Sequence, residues 1–146
     1  MIHPSSIVEE GAQLGDEVEV WHFSLVRAGA VIHDRVRIGH HVYIDNQVTI
    51  GAGSKVKDGA KLFGELTIAR DCFIGPNVTI TNDRHPRAKD ENYPRVHTHI
   101  YSGASIGANS VVLPGVSIGR HAMCGAGSII LADVPPGKTV IGVWKG

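Results

Sequence analysis

The sequence predicts an all-β protein in which very short strands stack into a parallel solenoid. The first observation is a six-residue period: counting from Ile2, every sixth residue up to Ile80 is aliphatic. The second is that the residue four places further on is small or aliphatic, as Ala12 and Val18 are. The third is that glycine often follows the first position directly. This period fits neither a helix stripe nor a long strand, but is typical of a short strand followed by a tight turn.

A strand is predicted at the first position of each hexad. Twelve of the fourteen residues in this set are β-branched, which favours strand. Each strand is too short to bury its face alone, so successive coils must stack about 4.8 Å apart. Three hexads complete one triangular coil, so residues 18 apart should lie above one another. A sandwich of short strands would instead need hairpin turns and variable spacing. The set is Ile2, Val8, Leu14, Val20, Val26, Ile32, Ile38, Ile44, Ile50, Val56, Leu62, Ile68, Ile74 and Ile80.

The repeat is interrupted once. A polar stretch begins at Thr81, and the hexads resume only at Ile100. We expect this stretch, residues 81–99, to leave the solenoid as an extruded loop. Because the chain is repetitive on both sides of it, the loop is the first place to look for chemistry.

Composition excludes several classes of function. Fourteen basic residues balance fourteen acidic ones, so no charge footprint for nucleic acid or an anionic membrane is present. No apolar run reaches membrane-spanning length, and the N-terminus lacks a basic-then-apolar signal pattern. We therefore expect a cytoplasmic protein. Cys72 and Cys124 fall on inward hexad positions, where a thiol acts as a small apolar residue.

The 18-residue ladder aligns polar residues next to the break. Ala28, Asn46, Gly64 and Asn82 should form one column, and Glu65 should lie under Asp83 in the column beside it. Two carboxylates one coil apart would be about 5 Å from each other. Polar side chains gathered beside the loop are what a binding cleft on a repetitive wall would need, although a solvated turn column is the alternative.

The nine histidines raise the question of a metal site. His22 and His40 are 18 apart and should stack, while His97 and His99 could share one strand face. Trp21 and Phe23 flank His22 at outward positions. These aromatic residues suit either a subunit interface or a substrate contact. We predict no bound metal.

The hexads resemble those of the hexapeptide-repeat acyltransferases over essentially the whole chain. The resemblance implies a left-handed parallel β-helix, acetyl-CoA as co-substrate, and a homotrimer with active sites between neighbouring subunits. It also implies one domain over residues 1–146, with residues 135–146 covering the last coil as a C-terminal cap. We expect no C-terminal helix of the kind that many relatives add.

The stretch from Phe73 to Asp83, followed by Pro86-Arg87, resembles a narrower group within that family. These enzymes acetylate 3-amino-3,6-dideoxyhexoses on a dTDP carrier, and a sister group acts on a UDP-linked 3-amino uronic acid and shares Val20-Trp21-His22-Phe23. The sequence departs from the pattern at residues 63–65, where the acid is shifted by one place to Glu65, and at His85, where an aromatic residue is common.

The resemblance implies a set of site residues. Asn82 and Asp83 would orient the sugar amine, which enters neutral and attacks the thioester directly while the sulfur takes the proton. His85 is the competing candidate, as a general base, because imidazole has a suitable pKa. Substrate contacts are expected at His22, Asn46, Glu65, Arg84 and Arg87. Coenzyme contacts are expected at Gly103, Ala108, Arg120, Ala126 and Lys138.

Other functions remain open at this point. The acceptor could be a different amino sugar or a hydroxyl group. The γ-class carbonic anhydrases have the same fold and hold zinc with three histidines, but their His-x4-His pair does not occur here. A non-catalytic interaction protein is a further alternative, since this fold hosts many activities.

Overall fold

A computed structural model describes all residues, Met1–Gly146. It contains strands and turns but no helix, and each strand has two or three residues. The strands are β1 (Ile7–Val8), β2 (Gln13–Leu14), β3 (Glu19–Val20), β4 (Leu25–Val26), β5 (Val31–Ile32), β6 (Arg37–Ile38), β7 (Tyr43–Ile44), β8 (Val48–Ile50), β9 (Lys55–Val56), β10 (Lys61–Leu62), β11 (Leu66–Ile68), β12 (Phe73–Ile74), β13 (Thr79–Ile80), β14 (Thr98–Ile100), β15 (Ser105–Ile106), β16 (Val111–Val112), β17 (Ser117–Ile118), β18 (Met123–Cys124), β19 (Ile129–Ile130), β20 (Thr139–Val140) and β21 (Val143–Trp144).

The strands form the three walls of a left-handed parallel β-helix, so the predicted fold class is confirmed. Sheet 1 has the order β1-β4-β7-β10-β13-β16-β19-β21, sheet 2 is β2-β5-β8-β11-β14-β17, and sheet 3 is β3-β6-β9-β12-β15-β18-β20. Every pairing is parallel, and before the loop each residue pairs with the one three hexads further along, as Leu25 does with Tyr43. At the corners of most hexads one residue adopts a positive φ; where it is not glycine, it is a residue such as Gln47 (φ 56°) or Asn77 (φ 57°).

The core is a single column of 31 buried apolar residues along the axis. Apart from Val140, its members belong to the two predicted hexad sets, whose side chains point inward from each wall. Serines in the second set are buried too, and they bridge coils: Ser24 Oγ donates to the Gly39 carbonyl at 2.7 Å and accepts from the Val42 N–H at 3.0 Å. The buried hydroxyls are therefore satisfied, which removes most of the cost of placing them in an apolar core.

The loop changes the pairing interval without changing the register. Lys61 pairs with Thr79, which lies one regular coil further along the chain. Thr79 in turn pairs with Val111, and this longer interval contains the whole loop. The break is therefore an insertion into a single coil, with the walls continuing above it. The strand-free segment is residues 81–97 rather than 81–99, because Thr98 is buried and already pairs with Leu66 in sheet 2.

The last residues continue the walls. Thr139 and Val140 pair with β18, and Val143 and Trp144 pair with β19, so this segment lies over the final coil. The first coil is less covered, since Ile2 and Ile7 remain exposed. No helix long and apolar enough to cross a membrane is present.

Candidate functional site

The loop begins at a buried asparagine. Asn82 is 6% exposed, and its Nδ2 donates to the carbonyl of Gly64, one coil below. Its Oδ1 accepts a hydrogen bond from the Tyr93 hydroxyl at 3.3 Å. Both polar groups of this candidate catalytic residue are thus engaged within the chain. Asn82 therefore holds the start of the loop against the coil below, through Gly64, and also binds the later part of the loop, through Tyr93.

The coil beneath Asn82 is built around a glycine that no other residue could replace without movement. A Cβ on Gly64 would lie 2.0 Å from the backbone oxygen of Asn46. The Gly64 N–H donates to Asp45 Oδ2 at 3.2 Å, and Asp45 itself is only 6% exposed. Asp45 Oδ1 also accepts from the Asn46 N–H and the Tyr43 hydroxyl. We call residues 45–46, 64–65 and 82 the polar corner; it lies where sheet 1 turns into sheet 2.

The far end of the loop folds back onto the polar corner. Arg95 Nη1 donates to Asn46 Oδ1 at 2.9 Å, which joins the loop to a residue two coils below its entrance. Arg84, predicted to contact substrate, donates instead from Nη2 to the Pro114 carbonyl at 2.9 Å. Arg87 is exposed and donates only to the carbonyl of neighbouring Pro86. The loop is therefore tied down at both ends, with Arg87 free at its tip.

The two predicted carboxylates have different partners. Asp83 Oδ1 accepts the N–H of His85 at 3.0 Å, which makes a tight turn at the loop entrance and leaves the His85 ring exposed. Glu65 Oε2 instead lies 3.8 Å from His97 Nδ1. The column places Glu65 and Asp83 on neighbouring coils, but Asp83 is hydrogen-bonded within the loop and Glu65 lies nearest to His97, so the two carboxylates do not face a shared site.

His97, which the sequence raised only in the question of a metal site, lies against Glu65 of the polar corner. Its Nε2 lies 2.9 Å from the Thr67 hydroxyl, while its Nδ1 faces Glu65. His99 stacks on Tyr101 with ring centroids 4.2 Å apart and meets His97 edge-on at 6.0 Å. Burial and the nearby His97 lower the pKa of His99. The strand register could have revealed this contact. If the 18-residue ladder resumes with Thr98 beside Leu66, His97 lies opposite Glu65.

The predicted stack of His22 on His40 is present, with ring centroids 5.0 Å apart. His3 extends it on the other side at 3.6 Å. Burial, then the neighbouring His3 and His40 rings, lower the pKa of His22, and its Nδ1 is buried without a hydrogen-bond partner. This stack belongs to the N-terminal coils. Two open depressions, of about 440 and 580 Å³, lie beside it rather than beside the loop.

The predicted coenzyme residues fall on two different edges. Ala108 and Ala126 lie one above the other at the corner between sheets 3 and 1, where the Gly127 N–H donates to the Ala108 carbonyl at 2.7 Å. Gly103, Arg120 and Lys138 line the corner between sheets 2 and 3, where the Gly137 N–H donates to the Arg120 carbonyl. The Lys138 ammonium lies 5.3 Å from the Trp144 ring centroid.

The remaining groups to consider are candidate metal ligands and the two thiols. No three His, Cys, Asp or Glu side chains of this chain come together as a group that could hold a metal ion. Burial raises the pKa of both thiols, that of Cys124 to about 11. A thiolate nucleophile is thereby disfavoured at both positions.

Comparison with known proteins shows which families this chain resembles. A model of the bacterial transferase hexapeptide, covering six repeats, matches residues 29–64. The similarity to hexapeptide-repeat transferases therefore lies in this stretch of the chain. The chain is 35% identical over 133 residues to the bifunctional protein GlmU of Heliobacterium modesticaldum, a match that covers 89% of the chain and 26% of that relative. The chain thus spans about a quarter of the length of the curated relatives it matches.

Solved structures share the fold. A hexapeptide-repeat acetyltransferase from Vibrio cholerae superposes with a TM-score of 0.56 at 25% identity, covering 90% of this chain and 69% of that one. A perosamine N-acetyltransferase variant from Caulobacter crescentus, crystallised with CoA and GDP-perosamine, gives a TM-score of 0.62 at 24% identity, covering 97% of this chain and 52% of that one. At the latter identity the likeness concerns the fold alone.

Proposed function

We propose that this chain is the acyl-transfer domain of an enzyme that moves an acetyl group from acetyl-CoA to the amino group of a nucleotide-linked amino sugar. One observation carries the proposal: the loop returns to the polar corner, where Arg95 binds Asn46 and Tyr93 binds Asn82. Polar groups from three coils and from the loop meet at this one place on the repetitive solenoid. An acceptor site needs such a fixed set of donors and acceptors.

The co-substrate is supported by the related structures. The perosamine N-acetyltransferase holds CoA, and a second crystal structure of the Vibrio cholerae acetyltransferase holds acetyl coenzyme A. On this chain the column of Ala108 and Ala126 offers small side chains, past which a pantetheine arm could approach the backbone. Arg120 and Lys138 offer cations for its phosphates, and Gly103 lies on the same edge as these two.

The acceptor we propose is a dTDP-linked 3-amino-3,6-dideoxyhexose, because the motif from Thr81 to Arg87 resembles that group of enzymes. A UDP-linked 3-amino sugar is the alternative. The exposed Arg87 guanidinium is the arginine of the loop that remains available for bidentate binding of the diphosphate. Arg84 would hold the loop, and His22 would contact the acceptor only if another subunit brought it near.

The chemistry is a direct attack of the amine on the thioester carbonyl, with no covalent enzyme intermediate. It requires an oriented amine, a fixed carbonyl and donors for the developing oxyanion. Asp83 is half-buried beside the loop entrance and can accept from the amine, while Asn82 holds that entrance in place. His85 is exposed and within one turn of Asp83, so it remains the candidate general base within the loop.

A homotrimer is part of the proposal. The acceptor residues lie at the corner between sheets 1 and 2, whereas Ala108 and Ala126 lie at the corner between sheets 3 and 1. The face of sheet 1 separates the two edges, and it exposes Ile7, Ile129 and Val143. Burying that apolar face against a second copy would let one chain's coenzyme edge meet another chain's loop.

The direct test is a thiol-release assay with acetyl-CoA against a panel of dTDP- and UDP-linked amino sugars. We expect turnover with a 3-amino sugar and none with the matching 3-hydroxy sugar. A purified protein that shows no affinity for acetyl-CoA would refute the proposal. Among loop variants, Asp83→Asn should lower kcat more than His85→Ala. If His85→Ala alone abolished turnover and removed the acid limb of the pH–rate profile, the general base would be His85.

A further inference from the structure

The first six residues are held to the second coil by the hydroxyl groups of two serines. Ser5 Oγ accepts the backbone N–H of Phe23 at 3.0 Å. Ser6 Oγ accepts the backbone N–H of Ser24 at the same distance. Both N–H groups belong to the corner between sheets 3 and 1, so the start of the chain covers that corner from below.

The position of Ser5 depends on the protonation state of His3. The Ser5 N–H donates to His3 Nδ1 at 3.2 Å, and the Ser5 hydroxyl lies 2.8 Å from the same nitrogen. Only a ring without a proton on Nδ1 can accept the backbone N–H. In the imidazolium, Nδ1 could donate to the hydroxyl, but the Ser5 N–H would lose its acceptor. The neutral ring is therefore the form that satisfies this turn.

The His22 ring lies between two other imidazoles. Its centroid is 3.6 Å from that of His3 and 5.0 Å from that of His40, while His41 stacks on Phe23 instead. Its Nδ1 is buried without a hydrogen-bond partner. Because an imidazolium carries a proton on both nitrogens, protonation would place a charged donor where nothing accepts it. Burial, then the His3 and His40 rings, accordingly lower the pKa of His22.

No carboxylate offsets a positive charge in this stack. None of the ion pairs in the chain includes one of the three rings. Asp58 Oδ1 accepts the backbone N–H of His40 at 2.9 Å, and Glu19 is paired with Arg37. The Met1 ammonium adds a further positive charge at this end of the solenoid. Protonated rings would therefore repel one another and this ammonium without compensation.

We propose that residues 1–6 form an acid-released latch: the uncharged stack holds them on the second coil, and protonation of His3 and His22 frees them while the other coils stay folded. Release would uncover the edge of sheet 3, where the Val20 N–H donates to the Met1 carbonyl and the His3 N–H to the Val20 carbonyl, both at 2.8 Å. An edge with free N–H and carbonyl groups can pair with another strand. The latch does not depend on the proposed acetyl transfer.

Amide hydrogen exchange followed by NMR tests the latch in the wild-type chain. The protection of the Val20, Phe23 and Ser24 amides, relative to the intrinsic rates at each pH, should fall at least about tenfold between about pH 7.5 and pH 5.5, because each extra proton bound by the open form contributes up to about tenfold per pH unit. The Gly125 and Ile129 amides donate to the C-terminal cap and should keep their protection. Unchanged protection at Phe23 and Ser24, or an equal loss at both ends of the solenoid, would overturn the latch.

Variants assign the acid response to the two rings. His22→Phe keeps an aromatic ring in the stack but takes up no proton, so less protection should be lost in acid. The double variant His3→Gln/His22→Phe should lose almost none, whereas His33→Gln, at an exposed position, should match the wild type. A wild-type response in the double variant would show that other groups control the release. If the double variant does not hold residues 1–6 even at neutral pH, the wild-type chain decides: the His22 ring resonances and the protection of Phe23 must change with the same midpoint, and different midpoints refute the latch.

Discussion

Arg95 and Asn46 are far apart in the chain, yet Arg95 Nη1 donates a hydrogen bond to Asn46 Oδ1 at 2.9 Å. This contact docks the loop of residues 81–97 onto a coil that lies two turns earlier in the solenoid. Together with the Tyr93–Asn82 bond it turns an insertion in the repeat into a defined surface. The following predictions address that surface, the coils that carry it and their packing.

Arg95→Ala should free the return end of the loop. The lost hydrogen bond is exposed, so the free energy of unfolding should fall by less than about 1.5 kcal/mol. Limited proteolysis should nevertheless cut within residues 84–95 several times faster, because the segment no longer docks on Asn46. The control is Arg87→Ala, which removes an exposed guanidinium bound only to its neighbour. Equal cleavage of the two variants would contradict the assigned contact.

Gly64→Ala should destabilise the solenoid strongly. The new methyl group would lie 2.0 Å from the Asn46 carbonyl oxygen, a backbone atom that cannot swing away. We expect a loss of about 3 kcal/mol or more in urea unfolding, at the upper end of overpacking effects. Gly137→Ala is the matched control: its Cβ meets nothing within 4 Å but takes a φ of +71°, which costs about 1 kcal/mol. A milder effect at Gly64 than at Gly137 would show that the coils can separate freely.

The free energy of unfolding should fall as the pH drops below about 6.5, the ordinary pKa of a histidine side chain. Burial and the rings of His3 and His40 lower the pKa of His22 in the folded state, so the unfolded chain binds more protons in this range. The stabilising contribution is therefore complete above the unfolded pKa and is lost as pH falls. Thermal melts from pH 8 to pH 5 should show a smaller decline for His22→Gln than for the wild type. His33→Gln, at an exposed position, should follow the wild type.

The two cysteine thiols should be unreactive in the folded protein. Cys72 and Cys124 are 2% and 1% exposed, and burial raises the pKa of Cys124 to about 11. A disulfide reagent at pH 8 should therefore label no thiol in native protein and both in concentrated guanidinium chloride, because the reagent needs an accessible thiolate. Rapid labelling of one thiol under native conditions would mean that the core opens locally at that coil.

Ile129→Glu should weaken the proposed trimer. Ile129 is 40% exposed on sheet 1, the face that separates the two candidate half-sites. A charge there would be buried unpaired in a subunit interface, at a cost of several kcal/mol. Sedimentation velocity should show a lighter species for this variant. Met123→Glu makes the same kind of change on sheet 3, where Met123 is 52% exposed, and should leave the assembly intact. Dissociation by Met123→Glu alone would assign the interface to sheet 3.

The periodic part of the molecule could be predicted closely, and the loop could not. The 18-residue ladder correctly stacked His22 on His40 and placed Gly64 between Asn46 and Asn82. It could not show that the loop turns Glu65 towards His97 rather than towards Asp83. The buried Asp45 was also missed, since its hexad position elsewhere holds ordinary outward residues such as Arg27 and Phe63.

The sequence by itself determined the fold, because each hexad repeats the same local choice of a β-branched strand and a tight turn, and identical coils can only stack. It also determined which residues share a column. Only the tertiary structure decided what the site is made of. The loop lacks a repeat, so its path depends on particular contacts such as Arg95 with Asn46 and Tyr93 with Asn82. Those contacts join residues far apart in the chain, which no local pattern encodes.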